Sequence, residues 1–147
     1  MKFTAFTTAT LLAVLGVGTP VSVLAQPSPT GSYVPGYWQP EAQVSLNRPI
    51  TVRILNQTGI PLEYGLSGVD VYTLGSNASV DVGVNLSNRP GNTATIAINA
   101  QRGTYALRYE YNVTDNNVLQ VRVIPGGGPQ PLDRAVYIDE TGRVYSF

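Results

Sequence analysis

The chain contains no cysteine and no histidine, and its single lysine is Lys2. Each absence closes a class of chemistry. Without histidine or cysteine, the Ser-His-Asp and Cys-His arrangements cannot be assembled. Zinc, copper and haem lose their customary ligands as well. No disulfide can form, and a lipid-modified cysteine behind a signal peptide is excluded. Beyond Lys2 there is no amine for Schiff-base chemistry and no lysine for a phosphate-binding loop. Charge is scarce too: Asp, Glu, Lys and Arg make up 12% of residues, and nine positive side chains balance nine negative ones. The arginines stand singly, so no basic stripe could displace counterions from nucleic acid. Nucleic acid is therefore not an expected partner, no cofactor or metal is implied, and carboxylates are the only acid–base groups left.

What is abundant is Val, Ile, Thr and Tyr, which favour strands over surface helices. No stretch carries a sustained apolar period of 3.6 residues. At 147 residues the chain has room for one domain.

Residues 1–25 are of a different kind. Lys2 supplies a positive start, Ala5 to Val17 is mostly apolar, and Val23-Leu24-Ala25 places compact residues before Gln26. This is the pattern of a cleavable secretory signal. Its apolar run is short for a membrane span, which needs roughly 20 apolar residues. The expected location is secreted or periplasmic, with no membrane span after signal cleavage. Cysteine-free export leans towards a bacterial source, and the mature chain must rely on its core. A domain of roughly 110 residues can bury about 65% of its unfolded surface, enough without disulfides.

Residues 26–40 read QPSPTGSYVPGYWQP. Proline, serine and glycine at this density give a polyproline-like tail or linker. It carries Tyr33, Tyr37 and Trp38, the last being the only tryptophan. Residues 41–147 form the expected domain.

Alternation marks its strands. Ile50, Val52 and Ile54 share one face, opposite Thr51 and Arg53. Val69, Val71 and Thr73 alternate with Asp70, Tyr72 and Leu74. Val80, Val82, Val84 and Leu86 share a face, as do Ala94, Ile96 and Ile98. The strongest hairpin runs from Thr104 to Ile124. Tyr105, Leu107, Tyr109, Tyr111 and Val113 line its inner face if Val113 pairs with Leu119. That register needs a three-residue loop, Asp115-Asn116-Asn117, with Asn117 left-handed. It also sets Glu110 across from Arg122 on the outer face. A last hairpin is expected to turn at Thr141-Gly142, with Ile138 facing Tyr145, Val136 facing Phe147 and Glu140 facing Arg143. Seven to nine short strands without a helix imply an all-β, two-sheet antiparallel sandwich of immunoglobulin-like kind. A closed barrel fits the same pattern.

The runs ITVRILNQTGIPLEYGL, LRYEYNVTDNNVLQVRVIP and RAVYIDETGRVYSF together resemble small exported bacterial β-proteins that carry no known activity. The resemblance covers most of the domain and implies a β-sandwich without a catalytic motif. VPGYW, Val34 to Trp38, is similar to an aromatic motif repeated in some exported bacterial proteins; here it occurs once.

Several constellations remain. Asp70 and Asp81 would lie diagonally on an outer face if their strands formed a hairpin, roughly 7–8 Å apart, a separation that inverting glycosidases use. The plainer reading is a pair of solvated charges guarding an edge. Asp115-Asn116-Asn117 and Asp139-Glu140 offer oxygens without a recognised calcium spacing. Gly126 to Gly128 has no helix to follow it, as a phosphate loop would. Tyr105, Tyr109 and Tyr111 read as core. Asn56, Asn77, Asn85 and Asn112 head glycosylation sequons, of which Asn77, in a turn, is the most accessible. Tyr33, Tyr37 and Trp38 are the candidate ligand-binding residues. They could stack on sugar rings, or fold back and staple the tail to the domain.

The composite expectation is a non-enzymatic interaction or structural module, contacting a protein or a cell-surface glycan by a sheet edge or the aromatic tail. A carbohydrate-binding module using the tail aromatics is the alternative, and a carboxylate-dependent glycan hydrolase a third. The sequence does not specify the oligomeric state.

Overall fold

The computed structural model describes residues 39–66, 70–101, 105–127 and 132–147. The signal segment expected at 1–25 and the tail as far as residue 38 lie outside them. Within the described residues the chain is all-β, with no helix and ten strands. These are β1 (Ala42–Gln43), β2 (Ile50–Asn56), β3 (Leu62–Leu66), β4 (Tyr72–Leu74), β5 (Ser79–Val84), β6 (Ala94–Ala100), β7 (Leu107–Val113), β8 (Val118–Pro125), β9 (Ala135–Ile138) and β10 (Arg143–Ser146).

They form two sheets. A six-stranded sheet runs β1-β10-β9-β6-β3-β4, and a four-stranded sheet runs β5-β2-β8-β7. Every pairing in the first is antiparallel. In the second, β2 and β8 run parallel, with Val52 opposite Leu119 and Ile54 opposite Val121. The expectation of purely antiparallel sheets is corrected here. Alternation tells which side chains face inward, but carries no information about the direction of a partner distant in sequence. Among the described residues no strand of one sheet pairs with a strand of the other, as closure into a barrel would require.

The inward faces of both sheets contribute to one hydrophobic cluster. From the four-stranded sheet come Ile50, Val52, Ile54, Leu119, Val121 and Val123, all buried. From the other come Leu62, Ile96, Ile98, Val136, Ile138 and Val144. Burying each such side chain contributes about 1.5–3 kcal/mol, so this cluster replaces the disulfides that the chain lacks. Two tyrosines tie the sheets together at polar points. The Tyr109 hydroxyl donates to the Ile98 carbonyl at 2.6 Å, and the Tyr111 hydroxyl lies 2.8 Å from Ser146 Oγ. Burial pushes both hydroxyls well above their ordinary pKa range, so they remain protonated.

The β7–β8 hairpin has the expected register: Val113 pairs with Leu119 and Glu110 with Arg122. Asn117 is left-handed, at φ 60°. Tyr105 departs from the expectation, being 45% exposed rather than part of the core. The C-terminal hairpin is one residue out of the expected register. Val144 pairs with Ile138, Tyr145 with Tyr137 and Ser146 with Val136. The physical reason is its loop, which has three residues rather than two. Gly142 N–H bonds the Asp139 carbonyl at 2.9 Å, and Asp139 N–H bonds Arg143 at 3.0 Å. Gly142 takes φ 82°, the place Asn117 holds in the other hairpin. Only glycine fits there, because a Cβ would run into the Val44 carbonyl oxygen.

The strand that follows Asp70 and the strand that carries Asp81 do not pair. β4 adds to β3 in the six-stranded sheet, while β5 pairs with β2 in the other. The chain changes sheets at Gly75–Ala78, and Asn56 fixes that corner. Its Nδ2 donates to the Ile60 and Gly75 carbonyls at 2.7 and 2.9 Å. Its Oδ1 accepts from Thr58 N–H and Thr58 Oγ1 at 3.0 and 2.7 Å. The inward residue of β4 is buried Leu74, whereas Val71, expected on the opposite face, is 68% exposed.

Candidate functional site

Tyr33, Tyr37 and Trp38 lie outside the described residues, so the search turns to the domain's surfaces. The carboxylates come first. Asp81 makes a two-pronged pair with Arg53, at 2.6 and 2.7 Å. Arg53's hydrogen bonds hold its carboxyl below the usual range. Asp70 is exposed and precedes a strand of the other sheet. The two acids therefore do not form the diagonal pair that an acid–base mechanism would need. Glu110 is engaged by Arg122 at 3.1 Å. Asp133 is half-buried, which lifts its carboxyl above the ordinary range against the opposing hydrogen bond from Tyr109 N–H. Among the described residues no three of Asp, Glu, His or Cys gather as metal ligands.

The outer face of the four-stranded sheet is polar. A depression of about 80 Å³ lies between Leu55, Glu110, Tyr111, Asn112, Gln120 and Arg122. Small-molecule pockets hold roughly 300–1,000 Å³, so this hollow suits a few waters. Of the four sequon asparagines, Asn56 is buried with its amide fully engaged, while Asn77, Asn85 and Asn112 are exposed.

The outer face of the six-stranded sheet is different. The corrected register puts Val136, Ile138 and Val144 inward, and so turns Tyr137 and Tyr145 outward together. Phe147 continues β10, exchanging backbone hydrogen bonds with Ala135, and it shares their face. The ring of Tyr137 lies 6.1 Å from that of Tyr145, tilted by 40°, and 5.7 Å from that of Phe147 in an edge-on contact. Such contacts hold rings in a fixed relation and add about 0.5–1.5 kcal/mol beyond area burial. Phe147 remains 41% exposed. Thr95 lies opposite Tyr137, and the next outward residue of β6 is exposed Ala97. Ala97 in turn pairs with Gly65, where a Cβ would meet the Asp70 carbonyl and Val71. The face is thus an aromatic ridge beside a floor of small side chains.

Its polar end is the hairpin loop. The Asp139 carboxylate accepts from Thr141 N–H, Thr141 Oγ1 and Arg143 N–H at 2.8, 2.7 and 2.9 Å. Burial alone would raise this carboxyl, but those hydrogen bonds outweigh it and hold it below the ordinary range. The Tyr145 hydroxyl points to the same group, 3.4 Å from Asp139 Oδ2. Sequence reasoning missed the three aromatics as a set because the expected register interleaved them with Val136 and Ile138. The usable signal was Asp139 two residues before Thr141-Gly142, which favours the three-residue loop.

No family model, curated protein or solved structure matches the chain. No helix among the described residues is long and apolar enough to cross a membrane.

Proposed function

We propose that the chain is an exported, non-enzymatic interaction domain, built as an immunoglobulin-like sandwich, which contacts its partner through the aromatic face of the six-stranded sheet. The observation that carries this reading is the outward set Tyr137, Tyr145 and Phe147. The core is closed by other residues, so packing of the interior does not call for three aromatic side chains on the outside. Apolar surface beside a polar rim marks contact sites on soluble domains. The charge pattern of Lys2, the apolar run Ala5–Val17 and Val23-Leu24-Ala25 support export to the periplasm or beyond. The resemblance to small exported bacterial β-proteins agrees with that placement.

A cell-surface glycan is the reading favoured by the chemistry of the face. Tyrosine and phenylalanine offer flat apolar surfaces to sugar C–H groups, and the Tyr145 and Asp139 oxygens lie at one end for hydroxyl contacts. Tyr33, Tyr37 and Trp38, outside the described residues, offer the same stacking chemistry. The test is retention of the full chain on peptidoglycan and a panel of polysaccharides. Loss of retention in the Tyr137→Ala chain supports the face, and loss in Trp38→Ala brings the tail into the site. A glycan-cleaving activity that disappears with Asp70→Asn or Asp81→Asn would overturn the non-enzymatic reading.

A further inference from the structure

We infer that a second copy of this chain pairs with it through edge strand β4, joining the two six-stranded sheets into one across a two-fold axis. This surface is separate from the aromatic face, and the inference goes beyond the function proposed for that face.

The first ground is that β4 is the edge left unguarded. A strand edge presents unpaired N–H and C=O groups, and charges, caps or shortness keep other chains away from it. On β7, Asp133 closes part of the edge. Its N–H bonds the Leu107 carbonyl at 3.1 Å, and its carboxylate accepts from the Tyr109 N–H at 2.6 Å. β5 carries Asp81 at mid-strand, and β1 has only two residues. β4 is short as well, but it is apolar. Val71 to Leu74 holds no charged side chain. Val71 and Tyr72, at 68% and 51%, are the two most exposed large hydrophobic residues among those described.

The second ground is that this edge fits itself. The bond from Gln101 N–H to the Pro61 carbonyl turns the odd-numbered residues of β3 towards β6. Leu62 and Tyr64 therefore bond β4 through Leu74 and Tyr72, and the backbone groups of Val71 and Thr73 face the open side. No hydrogen bond among the described residues uses them there. Antiparallel pairing about Tyr72 sets Tyr72 against its twin and Val71 against Thr73 of the second copy, each such pair exchanging both backbone hydrogen bonds. Asp70 then falls opposite Leu74 rather than its own twin, so no like charges meet. The Tyr72 ring already lies 5.7 Å from that of Tyr64, and two such ring pairs come together at the axis. Aromatic and β-branched pairs of this kind favour antiparallel neighbours. A strand paired with its own twin makes an isologous contact, so assembly stops at two. The contact is smaller than a standard interface, and the dimer exchanges with monomer. Both aromatic faces turn to one side of the joined sheet. Seven strand spacings of about 4.8 Å put their Tyr137 residues roughly 34 Å apart, where one extended ligand can engage both. That last consequence rests on the function proposed above; the dimer does not.

Sedimentation velocity of the full chain, from about 5 to about 500 μM, reads the association. The expected result is a weight-average mass that climbs from monomer towards dimer. Thr73→Pro removes an N–H that β3 does not use, and should hold the chain at monomer mass throughout. Tyr72→Lys sets like charges across the axis and should do the same. Tyr137→Ala, on the aromatic face, should associate as the wild type does, so glycan retention and dimer formation fail independently. The chain has no cysteine, so a single Tyr72→Cys checks the register. Opposite residues of a non-hydrogen-bonded pair lie about 4.5 Å apart at Cα, within disulfide reach. Under mild oxidant this variant should form covalent dimers several-fold faster than Tyr105→Cys, at a position exposed elsewhere. Far-UV circular dichroism confirms that each variant is folded. Monomer mass at the highest concentration, dimers that persist in both Thr73→Pro and Tyr72→Lys, or equal oxidation rates at 72 and 105 each overturn the inference.

Discussion

Asn117 offers a test of how a disulfide-free domain holds its long connections. Its side chain is 1% exposed and its backbone is left-handed at φ 60°. Oδ1 accepts from Ser45 N–H at 2.8 Å, and Nδ2 donates to Ser45, Pro49 and Arg48 carbonyls at 2.9, 3.0 and 3.3 Å. One amide thus closes the segment between β1 and β2 onto the β7–β8 hairpin. Asn117→Gly keeps the backbone conformation at no steric cost and deletes only the amide. Three short hydrogen bonds at about 1 kcal/mol each give an expected loss of about 3 kcal/mol. Asn117→Ala should lose about 1 kcal/mol more, because alanine adds the left-handed penalty. Asn117→Asp keeps the acceptor but faces three carbonyl oxygens with a carboxylate. Its folded pKa must then rise above the unfolded value of about 3.9. The sign follows: the raised carboxyl is tolerated below that value and costs increasing stability as pH climbs through the folded pKa. At neutral pH the variant should lose about 3–5 kcal/mol, the cost of a buried uncompensated charge. Thermal melts followed by circular dichroism read these losses, at about 4 °C or more per kcal/mol for a domain of this size. The reasoning is refuted if Asn117→Gly melts with the wild type, or if the aspartate variant is as stable at pH 7 as at pH 3.

Further outcomes follow from the same contacts. Gly142→Ala should destabilise by more than 2 kcal/mol, combining left-handed strain with the collision against the Val44 carbonyl; urea melts measure it, and Gly142→Asn should be no rescue. Tyr109→Phe should cost about 1–1.5 kcal/mol by deleting the link to Ile98. Asp139→Asn should flatten the acid limb of the stability profile: the native carboxyl is depressed, so its contribution is present above the unfolded pKa and lost as pH falls through the folded one. Asp133→Asn should act with the opposite sign. That carboxyl is raised, so the wild type forfeits stability as pH climbs through its folded pKa, and the variant gains at pH 7 but not in acid.

The parts of the fold legible in the sequence are those where several local signals coincide. In β7–β8, apolar alternation, the Glu110–Arg122 pair and a left-handed Asn117 all demand one register, and that register forms. The C-terminal hairpin offered fewer constraints. Thr141-Gly142 suggests a two-residue turn, and nothing in the strand pattern weighs against it, since Tyr, Val and Ile suit either face. The side-chain oxygen of Asp139, bonded to three groups of the loop, decides the matter and shifts the strand by one residue. That single shift gathers the aromatic face. The direction of β2 against β8, and the change of sheet at Gly75–Ala78, depend on contacts between residues far apart in sequence, Asn56 with Leu74 and Gly75 among them. Alternation cannot report such contacts. The acids Asp70 and Asp81 come together only where consecutive strands are neighbours, and β4 pairs with β3 while β5 pairs with β2.

Site-specific photo-crosslinking tests the aromatic face most directly, whichever kind of partner occupies it. A photoreactive residue would be placed at Ala97, on the floor of the face, and in a parallel chain at Gly83, exposed on edge strand β5 of the other sheet. Each chain would be irradiated in intact cells that express it. Intermolecular adducts from position 97 and none from position 83 are the predicted result. Adducts from position 83 alone would contradict the aromatic face as the contact surface and move it to the four-stranded sheet.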